Sequence, residues 1–279
     1  IHMKNTTALT VFTAVGGAAA LILRLAQERI GFSAETGLLV PGSPLTWLLP
    51  VSLIALGAAL FFLARCLPSR HPDPRAFEDI FSIQGSATLL LCGVALLILS
   101  GAVEVLSALA DSAGPLPAGA LPSAVLLLSG GLTALAGLCL LPHVLSASRG
   151  RRSRGRRTAP PALLLLAPAA MVFRLVLVYR TRSSNPTLSA YALEILALSF
   201  ASLAFFQLAS FAFGDGNPRV FSFLSGGTVI LCAASLADGL GLVENALFGG
   251  CAFFFLGLLY SLQPLSVRLR GDAYEEAKR

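Results

Sequence analysis

PPALLLLAPAAMVFRLVLVYR, residues 160–180, is an almost unbroken apolar run with Arg174 set inside it and Arg180 at its end. At about 1.5 Å per residue, a helix of this length covers about 30 Å, the thickness of a bilayer's hydrocarbon core. An amphipathic soluble helix would keep a polar stripe for water, and this stretch has none. It therefore reads as a membrane span, and the fold is read outward from it.

Seven further blocks of the same kind lie at about 8–29, 45–65, 80–107, 121–146, 189–213, 219–238 and 244–265. The whole chain is 56% hydrophobic and 12% charged, against roughly 25% charged residues in an average soluble domain. Its mean hydropathy is +0.80. Backbone N–H and C=O groups in lipid must be satisfied within their own segment, and the blocks are too long and too uniformly apolar for the alternating strands of a barrel. The expected fold is all-α: a polytopic bundle of about eight transmembrane helices.

Ile1 and His2 stand ahead of Met3 and read as the remnant of an expression tag, and no cleaved signal peptide is expected. Cys66, Cys92, Cys139, Cys232 and Cys251 lie in or at the ends of apolar blocks and never as CxxC, so they read as reduced packing residues.

Eight spans put both termini on one side, and the basic residues then divide unevenly. Fifteen fall on the side of the termini, six of them in RGRRSRGRR (149–157), and five on the other: Arg24, Arg29, Arg174, Arg180 and Arg182. Basic residues favour the cytoplasmic face, so the expectation is a plasma (inner) membrane with both termini and the arginine loop in the cytoplasm. The Arg149 to Arg157 loop reads first as a topology anchor and linker, with anionic lipid as a partner beside the bilayer itself; no nucleic acid is expected.

At an offset of 140, residues 80–104 match 220–244 without a gap, Phe81, Ser82, Cys92, Gly101 and Glu104 falling on Phe221, Ser222, Cys232, Gly241 and Glu244 among others. Weaker matches in the flanking spans include Arg24 with Arg174. These suggest two parallel four-helix repeats, related by an axis along the membrane normal. The expected organisation is a first repeat at 1–147, a linker at 148–158, a second repeat at 159–266 and a cytoplasmic tail at 267–279. Small residues such as Ser225, Gly226, Gly227, Gly249 and Gly250 would let helices approach closely.

Catalytic and metal-binding patterns are missing from the sequence. It holds no HExxH, GxSxG or Walker loop, and its only lysines, Lys4 and Lys278, are terminal. No cofactor or metal is expected, and no motif supports an enzyme.

What remains is a small set of charges in apolar surroundings: Arg174, Glu194, Arg24, Glu104, Asp238 and Glu244. Glu104 and Glu244 read as interfacial ends or, as repeat mates, as the rim of an outer vestibule that Asp238 joins. An arginine in mid-span costs about 3 kcal/mol on insertion scales, so Arg174 must face the bundle or reach outward to water. Glu194 lies within about 3 Å of its depth by helical rise and is its expected ion-pair partner, with an anionic ligand as the competing compensation. Pro168, six residues earlier, is expected to kink the same helix. These features point to a transporter or channel for a small, anionic solute; the alternative is a sensor, scaffold or accessory subunit without transport activity.

Overall fold

The structure, a computed structural model, describes residues 2–30, 44–67, 81, 85–111, 122–148, 160–182 and 191–262. Eight α-helices fill these stretches: α1 His2–Ile30, α2 Pro44–Arg65, α3 Ala87–Asp111, α4 Ser123–Ser148, α5 Leu166–Arg182, α6 Ala192–Ala212, α7 Pro218–Ser235 and α8 Leu242–Ser261. All eight carry a segment long and apolar enough to cross a membrane, that of α5 including the 3-10 turn Pro161–Leu165 before it. The protein is an all-α membrane bundle, and outside the helices the described residues add only an isolated bridge between Phe81 and Leu262. The arginine loop and the tail expected at 267–279 lie outside the described residues.

Pro168 lies where the helix geometry changes. The chain is a 3-10 turn up to Leu165 and becomes α-helical at Leu166, so Pro168 falls in the first turn of α5. A first-turn N–H has no helical partner to lose, which makes the position a favourable one for proline.

α3 is clasped between α4 and α8, and α7 is surrounded by α1, α2, α6 and α8. α2 lies at the edge, turning Trp47, Val51, Ile54 and Phe62 outward, as a helix facing lipid does. Glycines set the closest approaches. A Cβ on Gly93 would come within 2.8 Å of the Gly250 carbonyl oxygen in α8, and one on Gly101 within 2.5 Å of the Gly130 carbonyl oxygen in α4. Of the small residues singled out from sequence, Gly250 is one of these contacts, Gly226 seats Leu60 and Gly227 seats Phe200, whereas Gly249 is loosely packed.

The segments matched at offset 140 do not share helix boundaries. Residues 87–104 lie within α3, which continues to Asp111, whereas 220–244 runs through α7, the turn after Ser235 and the start of α8. Shared apolar composition can align two segments whose helix ends are set by different residues, here Gly239 and Gly241. Gly239 has φ +62, a left-handed conformation open to glycine at little cost.

The two ends of the bundle differ. At one, Phe81, Phe211 and Phe221 pack edge to face with centroids 5.3–5.7 Å apart. At the other, charges collect.

Candidate functional site: a charged layer at one end of the bundle

Arg174 sits at the middle of α5, buried at 5% exposure. Its Nη1 donates to Glu104 Oε2 on α3 and, at 3.5 Å, to Ser129 Oγ on α4. Nη2 donates to Glu244 Oε1 on α8 at 3.2 Å. One guanidinium thus ties four helices together. It faces the protein interior, as burial in lipid requires, but the expected pair with Glu194 does not form.

Glu194 is instead paired with Arg182, whose Nε lies 3.3 Å from Glu194 Oε2. Depth alone did not separate the candidates: Glu194 is in the first turn of α6 and Glu244 in the first turn of α8. Which of them faces Arg174 depends on helix order around the bundle. Glu104 is no interfacial end in water either. α3 extends seven residues beyond it, and it is 7% exposed.

Arg24, on the last turns of α1, forms the second centre. Its Nε donates to Asp238 Oδ1 at 2.5 Å, Nη1 to Gln27 Oε1 at 2.6 Å, and Nη2 lies 3.0 Å from Glu28 Oε1. Asp238 reaches it from the α7–α8 turn, where its own N–H donates to the Ser235 carbonyl at 3.1 Å. Burial pushes the Asp238 carboxyl above its ordinary range, and the Arg24 guanidinium offsets that only in part. The same turn delivers Glu244 to Arg174, and Asn245 Nδ2 holds it by donating to the Leu240 carbonyl at 2.8 Å. Ser100 Oγ donates to the Val243 carbonyl at 2.7 Å and fixes α3 to the start of α8.

All six charged residues named from sequence therefore fall in one layer, Arg174 with Glu104 and Glu244, Arg24 with Asp238, and Glu194 beside them with Arg182. Gln27, Glu28 and Ser129 complete the layer, and no pattern of spacing marked them. In these pairs five carboxylates face three guanidiniums. Glu244 is the most open member around Arg174, with 28% of its side chain exposed.

The cysteines of the described helices are free thiols, Cys232 and Cys251 lying buried against each other between α7 and α8. Among the described residues no three His, Cys, Asp or Glu side chains gather so as to hold a metal ion. An apolar groove of about 680 Å³ runs between α5 and α6, lined by Leu165, Pro168, Val172, Phe173, Leu203 and Phe206 among others. Arg174 lies on the opposite face of α5, away from it. Compared with protein families, with curated proteins and with solved structures, the chain matches none of them.

Proposed function

We propose that this integral membrane protein moves a small solute across an inner (plasma) membrane, and that the solute is a proton or small cation. The observation that carries this reading is that two carboxylates, Glu104 and Glu244, already meet the buried Arg174 guanidinium. An anion approaching Arg174 would meet Glu104 and Glu244 already in place, so the anionic solute expected from the sequence is disfavoured by like-charge repulsion. A cation arriving at Glu244 meets the opposite field, and charge buried within a membrane bundle commonly marks an ion or proton pathway. In this state the ion pairs join α1 to the α7–α8 turn and α3 to α5 and α8, so the layer acts as a closed outer gate.

The test is flux in proteoliposomes. With a proton-, Na⁺- or K⁺-sensitive dye inside to match the imposed gradient, the protein should give a signal above that of empty vesicles, and Glu244→Gln should reduce it. A wild-type signal equal to that of empty vesicles for all three removes the transport reading. The second reading, an accessory or scaffold subunit, then takes its place. It is favoured by α2, whose outward row of Trp47, Val51, Ile54 and Phe62 could pack against a partner's membrane helix as readily as against lipid.

Orientation is part of the proposal, with both termini cytoplasmic and the charged layer outside. It rests on the fifteen-to-five division of basic residues. Ala113→Cys and Ser153→Cys, both outside the described residues, should label from opposite sides in a background without native cysteines. Labelling of Ser153→Cys by an impermeant reagent in intact cells would reverse the orientation.

A further inference from the structure

α7 carries a polar face that the charged layer does not use. Ser222, Ser225, Thr228, Cys232 and Ser235 recur every three or four residues, so they line one side of the helix, and each is 0% exposed. From Ser222 to Ser235 the face covers about 20 Å, two-thirds of a hydrocarbon core. Asp238 follows Ser235 by three residues and closes the row at the charged layer.

The two hydroxyls farthest from Asp238 stand without partners. Thr228 and Ser235 donate back to the carbonyls of Leu224 and Leu231 at 2.8 and 3.0 Å. Among the described residues, Ser222 Oγ and Ser225 Oγ find no hydrogen-bond partner, and neither does Asp238 Oδ2. Leaving a buried polar group unsatisfied costs about 1–3 kcal/mol, so each of these groups calls for a partner. Side chains three residues apart on a helix stand about 5–6 Å apart, the separation one water spans by bonding to both.

We propose that this face of α7 holds buried water and relays protons between Asp238 and the Ser222 end, where the Phe81, Phe211 and Phe221 cluster closes the bundle. The inference rests on the transport reading above and narrows its solute to the proton. A proton arriving from the outer side leaves its carrier water and bonds to Asp238 Oδ2, while Oδ1 keeps its bond from Arg24. It then passes to the first water of the row, making hydronium there and restoring the carboxylate. Arg24, Glu28, Arg182 and Glu194 bear on Asp238 as it titrates. Hydroxyls suit the remaining steps because each both donates and accepts, and the last hydronium, at Ser222, gives its proton to inner-side water when the Phe81, Phe211 and Phe221 cluster parts.

Cys232 lies within the row and reports on it. In the full chain carrying Cys66→Ala, Cys92→Ala, Cys139→Ala and Cys251→Ala, its S–H stretch is the one thiol band in the infrared spectrum. In proteoliposomes moved into D₂O, exchange to S–D is expected within minutes, alongside a proton flux read by the interior dye. Ser222→Ala with Ser225→Ala should slow both by about tenfold, the factor set by loss of one hydrogen bond. The same pair should leave thermal stability intact, because alanine removes buried hydroxyls that have no protein partner. A thiol still protonated after a day in a protein that conducts protons overturns the row as the route and leaves transport standing. Rapid exchange without any wild-type flux overturns the relay together with the transport reading. Exchange and flux both unchanged in the double variant overturn the assignment to these serines.

Discussion

Arg174→Ala is expected to destabilise the purified protein by about 3–5 kcal/mol, the usual cost of stranding one partner of a buried ion pair. Glu104→Ala should cost a similar amount, and the double variant much less than the two together, because the one carboxylate then left without its partner, Glu244, is part-exposed and can be solvated. The couplings should be graded. Glu104, on α3, is 7% exposed and has no ready access to water, so its coupling to Arg174 should be the largest. Glu244 has 28% of its side chain exposed and can be solvated once the guanidinium has gone, so its coupling should be smaller. Glu194 is held by Arg182 and should show almost none with Arg174. The measurement is a double-mutant cycle on unfolding in detergent. A coupling to Glu194 larger than that to Glu104 would sink the assignment of partners.

That gradation shows where sequence reasoning reaches its limit. Depth along a helix is legible because each residue adds about 1.5 Å, and depth alone placed Arg174 inside the bundle, away from lipid. The apolar blocks likewise gave eight spans because hydrocarbon thickness fixes the length a helix must have. Rotation about the helix axis and the identity of the neighbouring helix are not encoded that way. Glu104, Glu194 and Glu244 share a layer on three different helices. Which of them meets Arg174 depends on packing that sequence spacing does not specify. Ser129 and Gln27 were invisible for the same reason: an isolated polar residue in an apolar span gains a role only from what faces it. The match at offset 140 brought Glu104 and Glu244 to notice together. Yet they reach the same guanidinium from unlike positions, one deep in α3 and the other in the first turn of α8.

The packing that chooses these partners hangs on α3, and Gly101→Ala should disrupt it. A Cβ at Gly101 would lie 2.4 Å from the Ala134 nitrogen and 2.5 Å from the Gly130 carbonyl oxygen. Both are backbone atoms of a continuous helix, so neither can turn aside as a side-chain tip could, and α3 and α4 must separate. Overpacking costs about 1–3 kcal/mol where side chains can adjust and more where they cannot, well above the gain of about 1 kcal/mol from replacing a helical glycine by alanine. Gly131 supplies the control, since a Cβ there meets nothing within 4 Å. Gly131→Ala should be neutral or stabilising by up to about 1 kcal/mol. The two substitutions are chemically identical and both fall within apolar spans, so a difference in sign isolates the helix contact from propensity. Glu104 stands three residues beyond Gly101 on α3, so separation of α3 from α4 should also draw its carboxylate away from Arg174. In a Gly101→Ala background the Arg174–Glu104 coupling should therefore fall. If Gly101→Ala instead melts at the same temperature as Gly131→Ala and keeps that coupling, α3 and α4 do not meet backbone to backbone, and the helix order that seats Arg174 between Glu104 and Glu244 is wrong.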